Sequence, residues 1–519
     1  MTLVDPAVLP ALLREFRRSM RDLLFDLCHE LAGPYRRPAA ALGLQPAFGR
    51  FVGGALKLGD YSGWKVVGWI ELLNDLLYFI DLREQLRRDR DHGRFASDLY
   101  AECEEQFYEN SYAEELFPRG EPTASGLERR LSQLCVRLAE EWTQEALFLV
   151  PGLPCAWLAR EGRRSWTVPG TLAPNFERAE LGDRLYVGQE GAYLEPPWGL
   201  RRRLAHQDRV TFLIRTDGIR LRVGRTMVPL MSIGPSPRWH WRYVLPTVIR
   251  RGHIIEGGRL TLGEGLRYRR DRSPHTVVKP PARVADRICQ ALAVIEQVWP
   301  AGARTLLSLT SRIVPLEAPG VVSFSYRHQP GLSFINTFER DQFDLIDDLV
   351  HENSHHHLNL LLRKYRLLRG DHNQEIFYSP WRRSLRPTRG ILHATFTFTM
   401  GAMLFERLSS FRARGKGREA SGRSRLTDQE LLRARFRCFE ELASLRYSLR
   451  DLLGPARARG WLTKDGLRLV RLLQREIVWV RRRLAPWRNR VMRSRYGPAL
   501  QRHLDELERA RRTYGRAES

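Results

Sequence analysis

The chain has no uninterrupted apolar run of about eighteen residues or more, which excludes an ordinary membrane-spanning helix. Cysteine is scarce: Cys28, Cys103, Cys135, Cys155, Cys289 and Cys438 are the only six in 519 residues, and no two are spaced as a pair. That argues against a zinc ribbon, an iron–sulfur site and a disulfide framework, and it points to a reducing, cytoplasmic setting. The first twenty residues, MTLVDPAVLPALLREFRRSM, interleave acid, base and apolar side chains and do not read as a secretory signal. No internal repeat recurs at a fixed period. Lysine is nearly absent. It occurs at positions 57, 65, 279, 364, 416 and 464, and these six leave 79 of the 85 basic residues as arginine. The formal charge of +26 is therefore read as coding bias more than as a built nucleic-acid surface. Runs such as Arg201-Arg202-Arg203 and Arg481-Arg482-Arg483 are expected to be solvated faces. The expected partners include no specific nucleic acid and no membrane, although a basic surface would still steer an acidic peptide toward the protein.

What is present suggests an α+β protein, mainly helical. A chain this long exceeds one hydrophobic core. Residues 1–150 read as helical, with apolar residues at helical spacing in WKVVGWIELLNDLLYFIDLREQLRRD (64–89) and ASGLERRLSQLCVRLAEEWTQEALFLV (124–150). Residues 151–280 contain β-type runs such as RVTFLIRT (209–216) and IRLRVGR (219–225) between glycine and proline punctuation. There Trp239, His240 and Trp241 are read as packing residues. Residues 281–411 hold a helix stopped by Pro300, then three strand-like runs (RIVPL, GVVSFSY and GLSFINT), then a histidine-rich helix from 341 to 363 packed on that small sheet. Residues 426–519 are helical and open on the capping-box sequence Thr427-Asp428-Gln429-Glu430.

The histidine helix carries the chemistry. In LVHENSHHHLNLLL, His351 and His355 are four residues apart, so they project from nearly the same helix face, one turn apart. Two imidazoles so placed can bind one metal ion, and Glu352 beside them can reach a metal-bound water. Leu345, Ile346, Leu349, Val350, Leu358, Leu361 and Leu362 make the surrounding stripe apolar, and polar groups there need a partner. His356 and His357 point elsewhere and are expected to be supporting or surface residues. The glycine and histidine that continue a metzincin motif are missing, since Leu358 and Leu361 stand in their places. For a third ligand two candidates remain: Glu375, twenty residues past His355, and His393 in the apolar run GILHATFTFTMGAMLF. His372 and Asp371 lie in a polar loop and are weaker choices.

The ordered motifs VWP, RIVPL, GVVSFS, GLSFIN, DLVHENSHHHLNLLL and FYSPWRRSLRPTRGILHATFTF, between about 285 and 410, resemble the HExxH-motif peptide-modification proteins associated with ribosomally made, post-translationally modified peptides. The match spans about a quarter of the chain. Some members of that family are similar to iron(II)- and 2-oxoglutarate-dependent hydroxylases acting at the β carbon of a precursor-peptide side chain. The resemblance implies His351, His355 and His393 as metal ligands. It also implies Arg382 and Arg386 as the residues that grip 2-oxoglutarate, a role suited to a planar guanidinium. In that scheme GLSFINT would pair with an extended peptide. A rival scheme has zinc on His351, His355 and either Glu375 or His393, with Glu352 as general base of a peptidase or amidase. A third has no catalysis, only a precursor-binding scaffold.

Overall fold

The computed structural model describes residues 8–88, 94–99, 116–117, 124–145, 149, a set of strands between 165 and 278, 282–411 and 427–515. The described part is mainly helical with small sheets, the α+β class expected. Among the described residues no helix is long and apolar enough to cross a membrane. Trp239, His240 and the basic loop 412–425 lie outside the described residues.

The chain forms two compact units, residues 17–246 and residues 1–16 with 247–519. Helices α1 (Val8–Ala32), α2 (Trp64–Arg88) and α3 (Ala124–Glu145) fall where helix was expected. Within the first unit, Trp69 of α2 stacks on Trp142 of α3 at 4.9 Å, and Phe48 meets both rings edge-on. The β-containing part follows as a four-stranded and a five-stranded antiparallel sheet.

The second unit holds the histidine helix. Its sheet comprises β1 (Thr261–Leu262), β2 (Gly265–Tyr268), β3 (Pro274–Val278), β4 (Arg312–Glu317), β5 (Phe324–Ser325) and β6 (Leu332–Asn336). Residues 261–278, read from sequence as part of the middle region, thus belong with the part that carries the histidine helix. The reason is pairing. β1 and β2 lie parallel to β4, and a lone β2–β3 hairpin would be marginal in water. β4 and β6 are parallel, and β5 runs antiparallel to β6 at the sheet edge. β6, within the GLSFINT run, is therefore paired along its length with β4 and, at Ser333 and Phe334, with β5 on the other side. Its outer edge is covered at its centre, and the open edge there belongs to β5.

Helix α4 (Ala282–Val298) ends before Pro300, but that proline does not end the helical stretch. It opens α5 (Pro300–Leu309) in the first turn, where a missing N–H costs little. Helix α6 (Gln342–Lys364) is capped by Asp341, whose carboxylate accepts from the Asp344 N–H at 2.9 Å. A hairpin, β7 (Phe377–Ser379) and β8 (Ser384–Arg386), leads to α7 (Thr388–Ser410). Then follow α8 (Asp428–Asp451), with the expected Thr427/Glu430 capping box, α9 (Lys464–Leu484) and α10 (Gly497–Tyr514).

One core runs through this unit. Ile288 and Trp299, Ile313 and Ile335, Leu345 and Ile346, Phe396 and Met400, Leu445, and Val470 belong to a single buried cluster. Residues 281–411 and 426–519 thus share a core and do not form separate domains. The threonines of α7 sit inside it because Thr395 and Thr399 donate back to the carbonyls of Ile391 and Thr395, at 2.7 and 2.6 Å.

Candidate metal centre

Helix α6 presents His351 and His355 side by side, ring centroids 5.0 Å apart. A nitrogen of each and a carboxylate oxygen of Glu352 lie within 4.8 Å of one another. Helix α7 packs on α6 and delivers His393. Its Nδ1 is 3.2 Å from Nδ1 of His355, and the two rings are stacked at 5.2 Å. Two nitrogens each about 2.0–2.1 Å from one ion would be separated by roughly that distance. All three rings are half-buried.

Burial sets the charges. It pushes the His351 imidazole below its ordinary range, against a pull from Asp347 one turn earlier. Burial, then the neighbouring histidines, holds His355 well below that range, and burial lowers His393 to about 3. The rings are thus neutral, the form a metal requires. Glu352 is only 2% exposed, and burial pushes its carboxyl up to about 8, with the nearby Ser325 hydroxyl opposing. Glu352 Oε2 and Ser325 Oγ are both buried without a well-formed hydrogen bond. Neutral imidazoles at His351 and His355 beside an orphaned carboxylate oxygen fit one divalent first-row ion, and His393 stands next to His355, outside that cluster.

Of the residues singled out in the sequence, His351, Glu352 and His355 come together, and His393 meets them through His355. Arg382 joins them: its charge acts on His351, His355 and Glu352. Arg386, exposed on β8, is not among the charges that act on these groups. Glu375 and Asp371 are exposed in the loop before β7, and neither they nor His372 belong to the cluster. His356 and His357 are buried, so they are supporting residues and not surface ones. His356 Nδ1 accepts from the Gly331 N–H at 3.3 Å, which leaves Nε2 to donate to Ser333 Oγ at 3.0 Å. His357 meets Phe396 edge-on. Sequence reasoning misses Ser325 beside Glu352, Asp347, whose charge acts on His351, and Arg389, whose charge acts on His393. Asp347 and Arg389 each stand four residues before the histidine they act on, a legible signal.

Asp348 ties the helix to the sheet. Its carboxylate accepts from Ser323 Oγ at 2.7 Å, and that oxygen accepts from the Asn336 N–H at 3.0 Å. Burial raises Asp348 from its ordinary 3.8 to about 6. The folded protein then holds a proton that the unfolded chain has released, so stability falls as pH rises through that window, by about 3 kcal/mol in all. Urea midpoints measured from pH 4 to 6 are expected to lose this contribution in Asp348→Asn. An unchanged slope in the variant would assign it to another group.

No protein-family model and no curated protein matches this chain in sequence.

Proposed function

We propose that the chain is a metal-dependent enzyme that modifies a peptide side chain, with iron(II)- and 2-oxoglutarate-dependent hydroxylation at a β carbon of a precursor peptide as the first reading. One observation carries it: His351, Glu352 and His355 form a His-Glu-His cluster on one helix, His393 of the next helix stands against His355, and the Arg382 charge acts on His351, Glu352 and His355. His351, His355 and His393 would hold the ion. The Arg382 guanidinium has no carboxylate partner among the described residues, and it would grip the distal carboxylate of the co-substrate. Iron(II) with 2-oxoglutarate would supply the oxygen activation that C–H hydroxylation needs. The edge strand β5, whose Ser325 adjoins Glu352, offers an extended peptide a place to pair.

A specific observation favours a second reading. A glutamate raised toward neutrality beside a metal-ligand pair is what a zinc peptidase or amidase uses to take the proton of its attacking water. Anaerobic reconstitution with iron(II) and 2-oxoglutarate separates the two. The hydroxylase reading expects a weak visible charge-transfer band, then succinate on admitting oxygen, both lost in His351→Ala. Stoichiometric zinc without a band would move the assignment to hydrolysis. Glu352→Gln adds a second test. Succinate formation is expected to survive it, whereas hydrolysis would fall by about 10²–10⁴-fold.

A further inference from the structure

His351 is held from two directions that meet on one residue of another helix. Its ring lies against Phe398 at 4.9 Å, and Phe398 is stacked flat on Trp381, at 4.3 Å and 5° between planes. The Trp381 indole N–H donates to Glu441 Oε2 of α8 at 2.8 Å. The other oxygen of Glu441 is 3.5 Å from Arg437, and the same guanidinium nitrogen is 3.4 Å from Asp347, one turn before His351. Asp347 thus reaches His351 through its charge and their shared helix, not through a contact. Glu441 is 4% exposed, so water offers Trp381 and Arg437 no ready substitute for it. Trp381 also immediately precedes Arg382, so the indole anchors the backbone next to that exposed arginine.

We propose that Glu441 is a positioning residue for the metal centre: it anchors Trp381, and through the Trp381–Phe398 stack it sets the orientation of His351. The inference rests on the metal-site reading and extends it to a helix that supplies no ligand. Partners behind a ligand commonly govern metal affinity by about 10–100-fold.

The test uses the full chain loaded with Co(II), whose visible absorption reports ligand geometry. Glu441→Gln keeps an acceptor for the indole N–H but sets a donor against Arg437, so it is expected to keep the parent's visible bands and to bind Co(II) more tightly than Glu441→Leu. Glu441→Leu removes the acceptor, and it is expected to weaken Co(II) binding about 10–100-fold and to alter the visible bands. Trp381→Phe is expected to weaken binding in the same direction, and the double variant to be no weaker than the worse single one. Should Glu441→Leu fail to fold, Trp381→Phe beside Glu441→Gln still decides. Parent-like affinity and spectrum in folded Glu441→Leu, or in Trp381→Phe, would overturn the inference alone. A parent protein that binds no Co(II) would overturn the metal-site reading and the inference with it.

Discussion

Replacing His355 with alanine is expected to abolish stoichiometric metal binding while leaving the helical fold in place. His355 occupies the centre of the cluster. It is the neighbour of His351 on its own helix, and it is the residue that meets His393 across the helix pair. Losing it removes one donor and separates the other two. Disturbing partners behind a ligand already costs about 10–100-fold in affinity, so removing this donor is expected to cost more than about 100-fold. Calorimetric titration with zinc or iron(II) gives the affinity, and far-ultraviolet circular dichroism checks the fold. Retention of one tight equivalent of metal by the folded variant would dismiss these histidines as the site.

Gly331→Ala is expected to destabilise the protein by about 2–4 kcal/mol. Gly331 stands just before β6 with φ of +88°, a region that side chains disfavour. A Cβ there would lie 2.7 Å from the Leu309 carbonyl oxygen and 3.1 Å from Ser311 Oγ. The backbone is tied in place. The Gly331 carbonyl accepts from the Ser311 and Arg312 N–H groups at 2.9 and 3.0 Å, and its N–H is given to His356. The strain would therefore be set directly behind the histidine helix. Urea unfolding measures the loss, and a change below about 1 kcal/mol would show that the strand start relaxes freely.

The histidine helix is legible because its apolar stripe keeps a 3.6-residue period. Leu345, Ile346, Leu349 and Val350 are all buried as that period requires. His393 is legible for the opposite reason, as an ionisable group inside an apolar helix that needs a partner. The parallel sheet is harder to read. β2 pairs with β4 across an intervening strand and two helices, and no local pattern announces a non-local parallel pairing. Pro300 misleads because proline ends one helix and begins another with equal ease. Arg437 and Asp347 meet from 90 residues apart, and Glu441 lies just beyond on the same helix, so no spacing rule could join them to His351. The run His355-His356-His357 is the clearest case. Three identical letters, turned about 100° at each step, serve the cluster, the sheet and the neighbouring helix in turn.

His355 and His393 stand 38 positions apart in the chain. An ion gripped by both would close a loop of that length, containing the β7–β8 hairpin and the whole approach to α7. A covalent tie across such a loop removes chain entropy worth about 4 kcal/mol from the unfolded ensemble. A coordinate tie differs in being removable. Chelation would then act on the protein as the opening of a staple does, releasing the hairpin and Arg382 to faster amide exchange while the helices at either end remain folded.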